Sequence, residues 1–300
     1  MFRRTDAARP TRRADLPAAI MFGVRARTVV CLTVATAGAS ALVACGAGSP
    51  HGAPSASTPA APVPPTPGAT VPETAKALAA QLAAVDAALR GAIRAWRGGG
   101  EPQGAPPDAV AIRALYVQRV VRLLARRPRL EAATVRHLPS PVADETRELT
   151  VARRELTRLS AGWPAHRVAT GPPKPLGELL RYYRVAQSRF GVRWQVLAAV
   201  NLIESAFGRV RGPSVAGAQG PMQFMPATWR AYGLGGNIND PRDAILGAAN
   251  LLRHAGAPAD YARALHAYNP SAAYVDAVRR YAQVMAGDQD AVYVLYSWKP

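Results

Sequence analysis

Residues 196–205 read VLAAVNLIES, an apolar run that ends in a carboxyl group at Glu204 and a hydroxyl at Ser205. The run predicts a buried helix. A carboxyl group at the end of such a helix lies where apolar surroundings raise its pKa, as a general acid working near neutral pH requires. Glu204 is therefore the candidate catalytic residue, and the alternative is a surface glutamate at a helix end.

Two further motifs follow Glu204. Residues 217–226 read GAQGPMQFMP, and residues 267–269 read AYN. Glycine lets a backbone come close to a bound polymer, and the amide of Gln223 offers both a donor and an acceptor to hydroxyl or acetamido groups. These residue types suit a cleft for a polymer that carries such groups.

In this order, the Glu-Ser pair, the Gly-Ala-x-Gly-x-Met-Gln-Phe-Met-Pro segment and the Ala-Tyr-Asn motif resemble the lytic transglycosylases related to goose-type lysozyme. Residues 223–226, followed by Tyr268-Asn269 and Tyr274-Val275, also resemble the membrane-bound lytic transglycosylase B group. The resemblance covers roughly residues 176–286. It implies a mainly α-helical, lysozyme-like catalytic domain that binds the glycan strands of peptidoglycan.

The resemblance implies that a single glutamate performs the reaction, and Glu204 matches it. In this family the glutamate protonates the glycosidic oxygen between MurNAc and GlcNAc, and the carboxylate then takes the proton of the C6 hydroxyl to leave a 1,6-anhydro ring. Other glycosidases use two carboxylates. Asp240, the rival second carboxylate, precedes Pro241 and is better explained as a helix cap. A hydrolytic muramidase and a non-catalytic cell-wall-binding protein remain as alternatives.

The resemblance also assigns substrate-binding roles. The side chain of Ser214 is expected to hydrogen-bond to the catalytic carboxylate, or else to close a local turn. The hydroxyl of Tyr268 is expected near that carboxylate, whereas Tyr274 either flanks the cleft or packs in the core. The complete expected set of substrate-binding residues is Ser214, Gly220, Gln223, Met225 and Tyr268.

Three further residues belong to the glycine-rich segment. Met222 and Phe224 are expected to pack in the core, as most such side chains do. Pro221 replaces the leucine that is common in the family; it removes a backbone donor and restricts Gly220.

The formal net charge of the 300 residues is +18. A basic surface favours an anionic wall polymer or a membrane, and the alternative is a plain preference for arginine. The basic residues are spread out and no nucleic-acid-binding motif is present, so no nucleic acid is expected as a partner. The five histidines are scattered without ligand spacing, so neither a metal nor another cofactor is expected.

The N-terminus predicts an exported protein of the cell envelope. Residues 1–44 read as a signal peptide, of which residues 1–20 are an extension if Met21 is the true start. The Leu-Val-Ala-Cys run resembles a bacterial lipoprotein cleavage box, which makes Cys45 the lipidation site and membrane anchor; the alternative is an ordinary secretory peptide. Residues 45–72 continue as a linker rich in proline and alanine.

The remaining chain divides at a proline-rich boundary near residue 173. Residues 73–162 show helical periodicity and predict a hairpin or small bundle, whose role is either a spacer or a surface for a cell-wall protein partner. The charged residues within 142–159 predict a largely solvated helix. Residues 174–286 form the expected catalytic domain, and residues 287–300 are expected to be a C-terminal tail.

Overall fold

The computed structural model describes residues 69–98, 100–161 and 169–300, and this part of the chain is mainly α-helical. The described residues form eleven α-helices and one small antiparallel sheet. The prediction of a mainly α fold is confirmed. The expected signal peptide, Cys45 and the linker up to residue 68 lie outside the described residues.

Four helices precede the proline-rich boundary. Helix α1 begins after Thr74, whose hydroxyl accepts a hydrogen bond from the backbone of Ala77, and ends at Gly98 in the left-handed conformation. Pro128 begins a short third helix directly after the second, as proline favours the first helical turn. The bounds are α1 Ala75–Arg97, α2 Asp108–Arg126, α3 Pro128–Val135 and α4 Ser140–Leu159.

Seven helices follow the boundary. Asp240 caps α8 as predicted: its carboxylate accepts a hydrogen bond of 3.0 Å from the backbone of Asp243. The sheet pairs β1 Ala169–Thr170 with β2 Val210–Arg211. The helices are α5 Leu176–Phe190, α6 Trp194–Ser205, α7 Pro226–Tyr232, α8 Pro241–His254, α9 Tyr261–Tyr268, α10 Ala272–Gly287 and α11 Ala291–Tyr296.

The two groups of helices share one hydrophobic core. Helix α4 packs along α10 and against α2, so the expectation of a largely solvated helix is wrong for one of its faces. That face carries small and apolar residues between the charged ones: Ala143, Thr146, Leu149, Thr150, Ala152 and Leu156.

The segment expected as a C-terminal tail is part of the core. Helix α11 lies between α2, α6 and α10, and every residue from 291 to 298 is buried. Its apolar run Ala-Val-Tyr-Val-Leu-Tyr explains why it is packed instead of exposed. Residues 291–298 therefore join the helices that precede the proline-rich boundary to those that follow it.

A cluster of charges ties the two groups of helices together. The guanidinium of Arg90 lies 2.5 Å from the carboxylate of Glu145, 3.2 Å from that of Asp86 and 2.5 Å from that of Asp288. Burial raises the pKa of Glu145 to about 7, and the neighbouring acids Asp86 and Asp288 add to the rise, while Arg90 opposes it. The carboxyl group therefore titrates near neutral pH.

The pKa of Glu145 gives the protein a stability that depends on pH. Between its usual pKa of 4.5 and about 7, the folded chain holds a proton that the unfolded chain releases. The free energy of unfolding is thus expected to fall as the pH rises through this window, by about 3 kcal/mol at most. Chemical denaturation of wild type and Glu145→Gln at pH 5 and pH 8 measures the effect.

The variant Glu145→Gln is expected to flatten this slope, since it carries no proton to lose. Glu155→Gln removes a carboxyl group from the same helix outside the charge cluster and should keep the slope of the wild type. Equal slopes for all three proteins would contradict the assignment of the titration to Glu145.

Candidate active site

The candidate catalytic residue lies at the end of a buried helix, as predicted. Helix α6 stops at Ser205 because Ala206 and Phe207 both have positive φ values, of 50° and 62°. The side chain of Glu204 is 8% exposed, and the apolar residues before it in α6 pack in the core. The carboxyl group is thus placed at the edge of the core.

The hydroxyl of Tyr274 donates a hydrogen bond of 2.8 Å to Oε1 of Glu204. Tyr274 is fully buried in the first turn of α10. The hydroxyl of Tyr268 donates to the carbonyl oxygen of Met222 at 2.6 Å, and the two tyrosine rings stack with centroids 6.4 Å apart. From the sequence, the hydroxyl of Tyr268 was expected near the carboxylate, and Tyr274 was expected either to flank the cleft or to pack in the core. In the structure, Tyr274 donates a direct hydrogen bond to Glu204.

The glycine-rich segment is held against α6 by buried polar side chains. Asn201 Nδ2 and Ser205 Oγ donate hydrogen bonds of 2.8 Å and 2.5 Å to the carbonyl oxygen of Pro221. Ser205 Oγ also accepts from the backbone of Gly208, and the hydroxyl of Tyr183 donates to Asn201 Oδ1. Ser205 thus supports the helix end, and the segment lies beside the helix that carries Glu204.

Residues 219–224 form a tight turn. The backbones of Gln219 and Phe224 exchange two hydrogen bonds, and Gln223 Nε2 donates to the carbonyl oxygen of Gly220 at 2.9 Å. Gly220 has a φ of 74°, and a Cβ atom there would lie 1.9 Å from the carbonyl oxygen of Ile238. The turn therefore requires glycine at position 220 on two separate grounds, its backbone angle and its lack of space.

The side chain of Ser214 is engaged locally. Its Oγ accepts a hydrogen bond of 3.0 Å from the backbone N–H of Ala218, and the backbone N–H of Ser214 donates to the carbonyl oxygen of Ala218. This is the local turn that the sequence left as the alternative, and a role for Ser214 toward the carboxylate stays a prediction.

The methionine and phenylalanine side chains of the glycine-rich segment differ in burial. Met222 and Phe224 are buried, as expected, and the ring of Phe224 contacts those of Tyr268 and Trp229. Met225 is half-buried immediately before α7. A substrate-binding role for Met225 stays a prediction.

Glu204 lines a cavity of about 90 Å³ whose opposite wall comes from the N-terminal helices. Helix α2 contributes Gln118 and Arg122, and α4 contributes Arg153 and Leu156. Residues 298–300 complete the wall, where Gln118 Nε2 donates to the carbonyl oxygen of Lys299 at 2.6 Å. The helices of residues 73–162 thus form part of the candidate site, which nothing in their sequence indicated.

A second cavity, of about 290 Å³, lies on the other side of the segment 208–212. Gly220 and Pro221 line it together with residues 172–174 and Asn239, and Val210 lines both cavities. Glu204 thus lines the first cavity and the turn of residues 219–224 lines the second, and strand β2 contributes to both.

The described residues contain no group of three or more His, Cys, Asp or Glu side chains arranged to hold a metal ion. None of the helices in the described part of the chain combines the length and the apolar character needed to cross a membrane.

Comparison with known proteins connects this geometry to a family. Residues 181–290 match the model of the transglycosylase SLT domain. Over 128 residues the chain is 33% identical to the membrane-bound lytic murein transglycosylase F of Thiobacillus denitrificans (strain ATCC 25259 / T1). The aligned residues make up 40% of this chain and 27% of that protein. The chain thus spans little more than a quarter of this relative's length, and no solved structure matches it. Residues 181–290 therefore form a transglycosylase SLT domain, and the chain is related to the bacterial lytic transglycosylases.

Proposed function

We propose that the protein is a peptidoglycan lytic transglycosylase that cleaves the MurNAc-β-1,4-GlcNAc bond and leaves 1,6-anhydroMurNAc, with Glu204 as acid and then as base. The observation that carries this proposal is the buried carboxyl group of Glu204, hydrogen-bonded to Tyr274 within an SLT domain.

Glu204 begins the reaction protonated and donates its proton to the glycosidic oxygen as the bond from that oxygen to C1 of MurNAc breaks. Its carboxylate then accepts the proton of the C6 hydroxyl, and the oxygen of that hydroxyl forms the new bond to C1. The glutamate ends protonated again, and no water is consumed. The hydroxyl of Tyr274 fixes the orientation of the carboxyl group through both steps.

The absence of a nearby partner carboxylate supports a single-glutamate reaction. Among the described residues that line the cavity of about 90 Å³, Glu204 is the sole aspartate or glutamate, and Asp240 is engaged as the cap of α8. A hydrolytic enzyme of the two-carboxylate type needs a second acid beside the bond to activate water or to act as nucleophile. The geometry therefore favours ring closure over hydrolysis.

The glycan strand is proposed to lie across these two cavities, beside the end of α6. In this proposal Gly220 lets the backbone approach the sugar, and Gln223, Met225 and Tyr268 contact it. Ser214 shapes the loop that precedes the glycine turn.

We also propose an exported protein of the cell envelope, anchored in the membrane through a lipid on Cys45. The relative in Thiobacillus denitrificans is described as membrane-bound, which supports a cell-envelope location. One acyl chain anchors a protein only weakly, whereas two or more anchor it stably. The linker that follows Cys45 suits a tether between membrane and wall.

The mass of the released muropeptides tests the reaction. Digestion of purified sacculi is expected to yield products that end in anhydroMurNAc, lighter by one water than those of a muramidase. Products of the hydrolysed mass would replace the proposal by the muramidase alternative. Binding without any released product would favour a non-catalytic wall-binding protein.

A further inference from the structure

The side chain of Arg209 is a buried cation whose surroundings do not neutralise it. It is 6% exposed and lies between the end of α6 and strand β2. Its Nη1 donates to the carbonyl oxygen of Ala206 at 3.1 Å, and its guanidinium carbon lies 4.7 Å from the ring centroid of Tyr296. Among the described residues, Arg209 forms no ion pair with a carboxylate.

Burying such a charge is unfavourable. A buried cation normally has a carboxylate partner, because the protein interior replaces the lost water poorly. Burial accordingly lowers the pKa of Arg209, against a small opposing effect of Tyr296. The contacts with Ala206 and Tyr296 engage one nitrogen and one face of the guanidinium, and leave the remaining N–H groups of its fork for another acceptor.

Arg209 lines a cavity of about 520 Å³, a size typical of small-ligand sites. The walls are rich in proline and come from residues 103–106 and 170–173 and from Pro175, Tyr296, Lys299 and Pro300. Lys299 brings a second positive charge to the rim, where its side chain is exposed. Among the described residues of its lining are two cations and no aspartate or glutamate, which suits a ligand with small apolar groups and one anionic end.

The cavity adjoins the pocket of the catalytic residue. Lys299 and Pro300 line both this cavity and the one that contains Glu204.

We propose that this cavity binds the terminal carboxylate of a short peptide, with the guanidinium of Arg209 as the main contact and Lys299 as an auxiliary charge. Two parallel N–H groups of a guanidinium match the two oxygens of a carboxylate, and the proline walls take small side chains such as those of alanine. This inference deepens the proposed function, because the assignment to peptides attached to the glycan rests on that function. The enzyme then binds the peptide substituent as well as the sugar.

Binding of a defined peptide tests the site directly. The probe is an N-acetylated alanine tripeptide with a free carboxylate, compared with the same tripeptide as its C-terminal amide, in titrations of the full chain by calorimetry. The free acid is expected to bind at least tenfold more tightly than the amide. Equal binding of acid and amide to the wild type would overturn the proposal.

Three variants assign the binding to the cavity. Arg209→Lys keeps the charge and loses the two-pronged contact, so its Kd for the free acid is expected to rise about tenfold. Lys299→Gln, on the exposed rim, should raise it about threefold and keeps the test valid if Arg209→Lys does not fold. Arg230→Gln removes an exposed arginine on α7 outside the cavity and serves as the matched control. Unchanged affinity in both Lys299→Gln and Arg209→Lys would overturn the proposal.

The source of the peptide is found by comparing substrates. If the peptide is attached to the glycan, wild type clears intact sacculi faster than glycan strands stripped of their peptides, and Arg209→Lys brings the ratio of the two rates toward one. If the ratio is one in the wild type although the tripeptide binds, the ligand is a peptide in solution, and the site itself is still supported.

The proposed reaction and the proposed peptide site can be disproved independently of each other. Glu204→Gln is expected to bind the tripeptide with the Kd of the wild type, because Glu204 does not line the cavity of Arg209. Loss of tripeptide binding in Arg209→Lys, with anhydro products still released, would in turn leave the proposed reaction standing.

Discussion

Replacing Glu204 by glutamine is expected to abolish the clearing of purified sacculi, with a loss of rate of at least about 100-fold, while binding to the sacculi is retained. Glutamine has nearly the shape of glutamate, but its amide neither donates a proton to a leaving group nor accepts one from a hydroxyl at neutral pH. The hydroxyl of Tyr274, which donates to Oε1 in the wild type, can donate to the amide oxygen in the variant. The fold should therefore be preserved, and turbidity assays and pull-down with sacculi measure the two properties.

Asp240→Asn provides the matched control. It neutralises the rival carboxylate near the site but keeps an oxygen that can accept the capping hydrogen bond from Asp243. Clearing by this variant is expected to stay close to that of the wild type. If Glu204→Gln clears sacculi as fast as the wild type, Glu204 is not the acid; if Asp240→Asn loses activity instead, a two-carboxylate reaction is favoured.

Replacing Gly220 by alanine is expected to lower the free energy of unfolding by about 3 kcal/mol or more. Two costs add. A φ of 74° is strained for any residue with a Cβ atom, and the new methyl group would lie 1.9 Å from the carbonyl oxygen of Ile238, a backbone atom that cannot rotate away. Because Gly220 also lines a cavity that is proposed to hold the glycan, activity should fall with stability. Denaturation in urea, followed by circular dichroism, measures the stability.

Gly217→Ala separates the two costs. Gly217 has a φ of 86° in the same loop, but nothing lies within 4 Å of the position that a methyl group would take there. Its replacement is therefore expected to cost only the backbone strain, about 1 kcal/mol. Equal losses in the two variants would show that the contact with Ile238 relaxes freely and that glycine is required at 220 for its backbone angle alone.

The helices were predictable wherever their apolar residues recur at helical spacing. The buried positions of α1 are those that its periodicity indicates, and the capping of α8 by Asp240 follows from the Asp-Pro pair alone. Helix α11 was not predictable, since six consecutive apolar or aromatic residues show no period. The buried face of α4 was masked by its charged residues, because small side chains such as Ala143 and Ala152 give a weak apolar signal.

The candidate site was predictable in its centre and not in its surroundings. The choice of Glu204 depends on its position after an apolar run together with the glycine-rich and Ala-Tyr-Asn motifs that follow it. Tyr268 and Tyr274 are six residues apart on two helices, and only their arrangement in space shows that Tyr274 donates to Oε1. The wall formed by α2 and α4 depends on contacts between distant parts of the chain, which no local pattern carries.

The burial of residues 291–298 has a consequence for biosynthesis. Helix α2 and the end of α6 both pack against this segment, so their shared core stays open until the ribosome has added it. A nascent chain lacking these residues exposes apolar surface from both helix groups at once and is a substrate for chaperones rather than a finished enzyme.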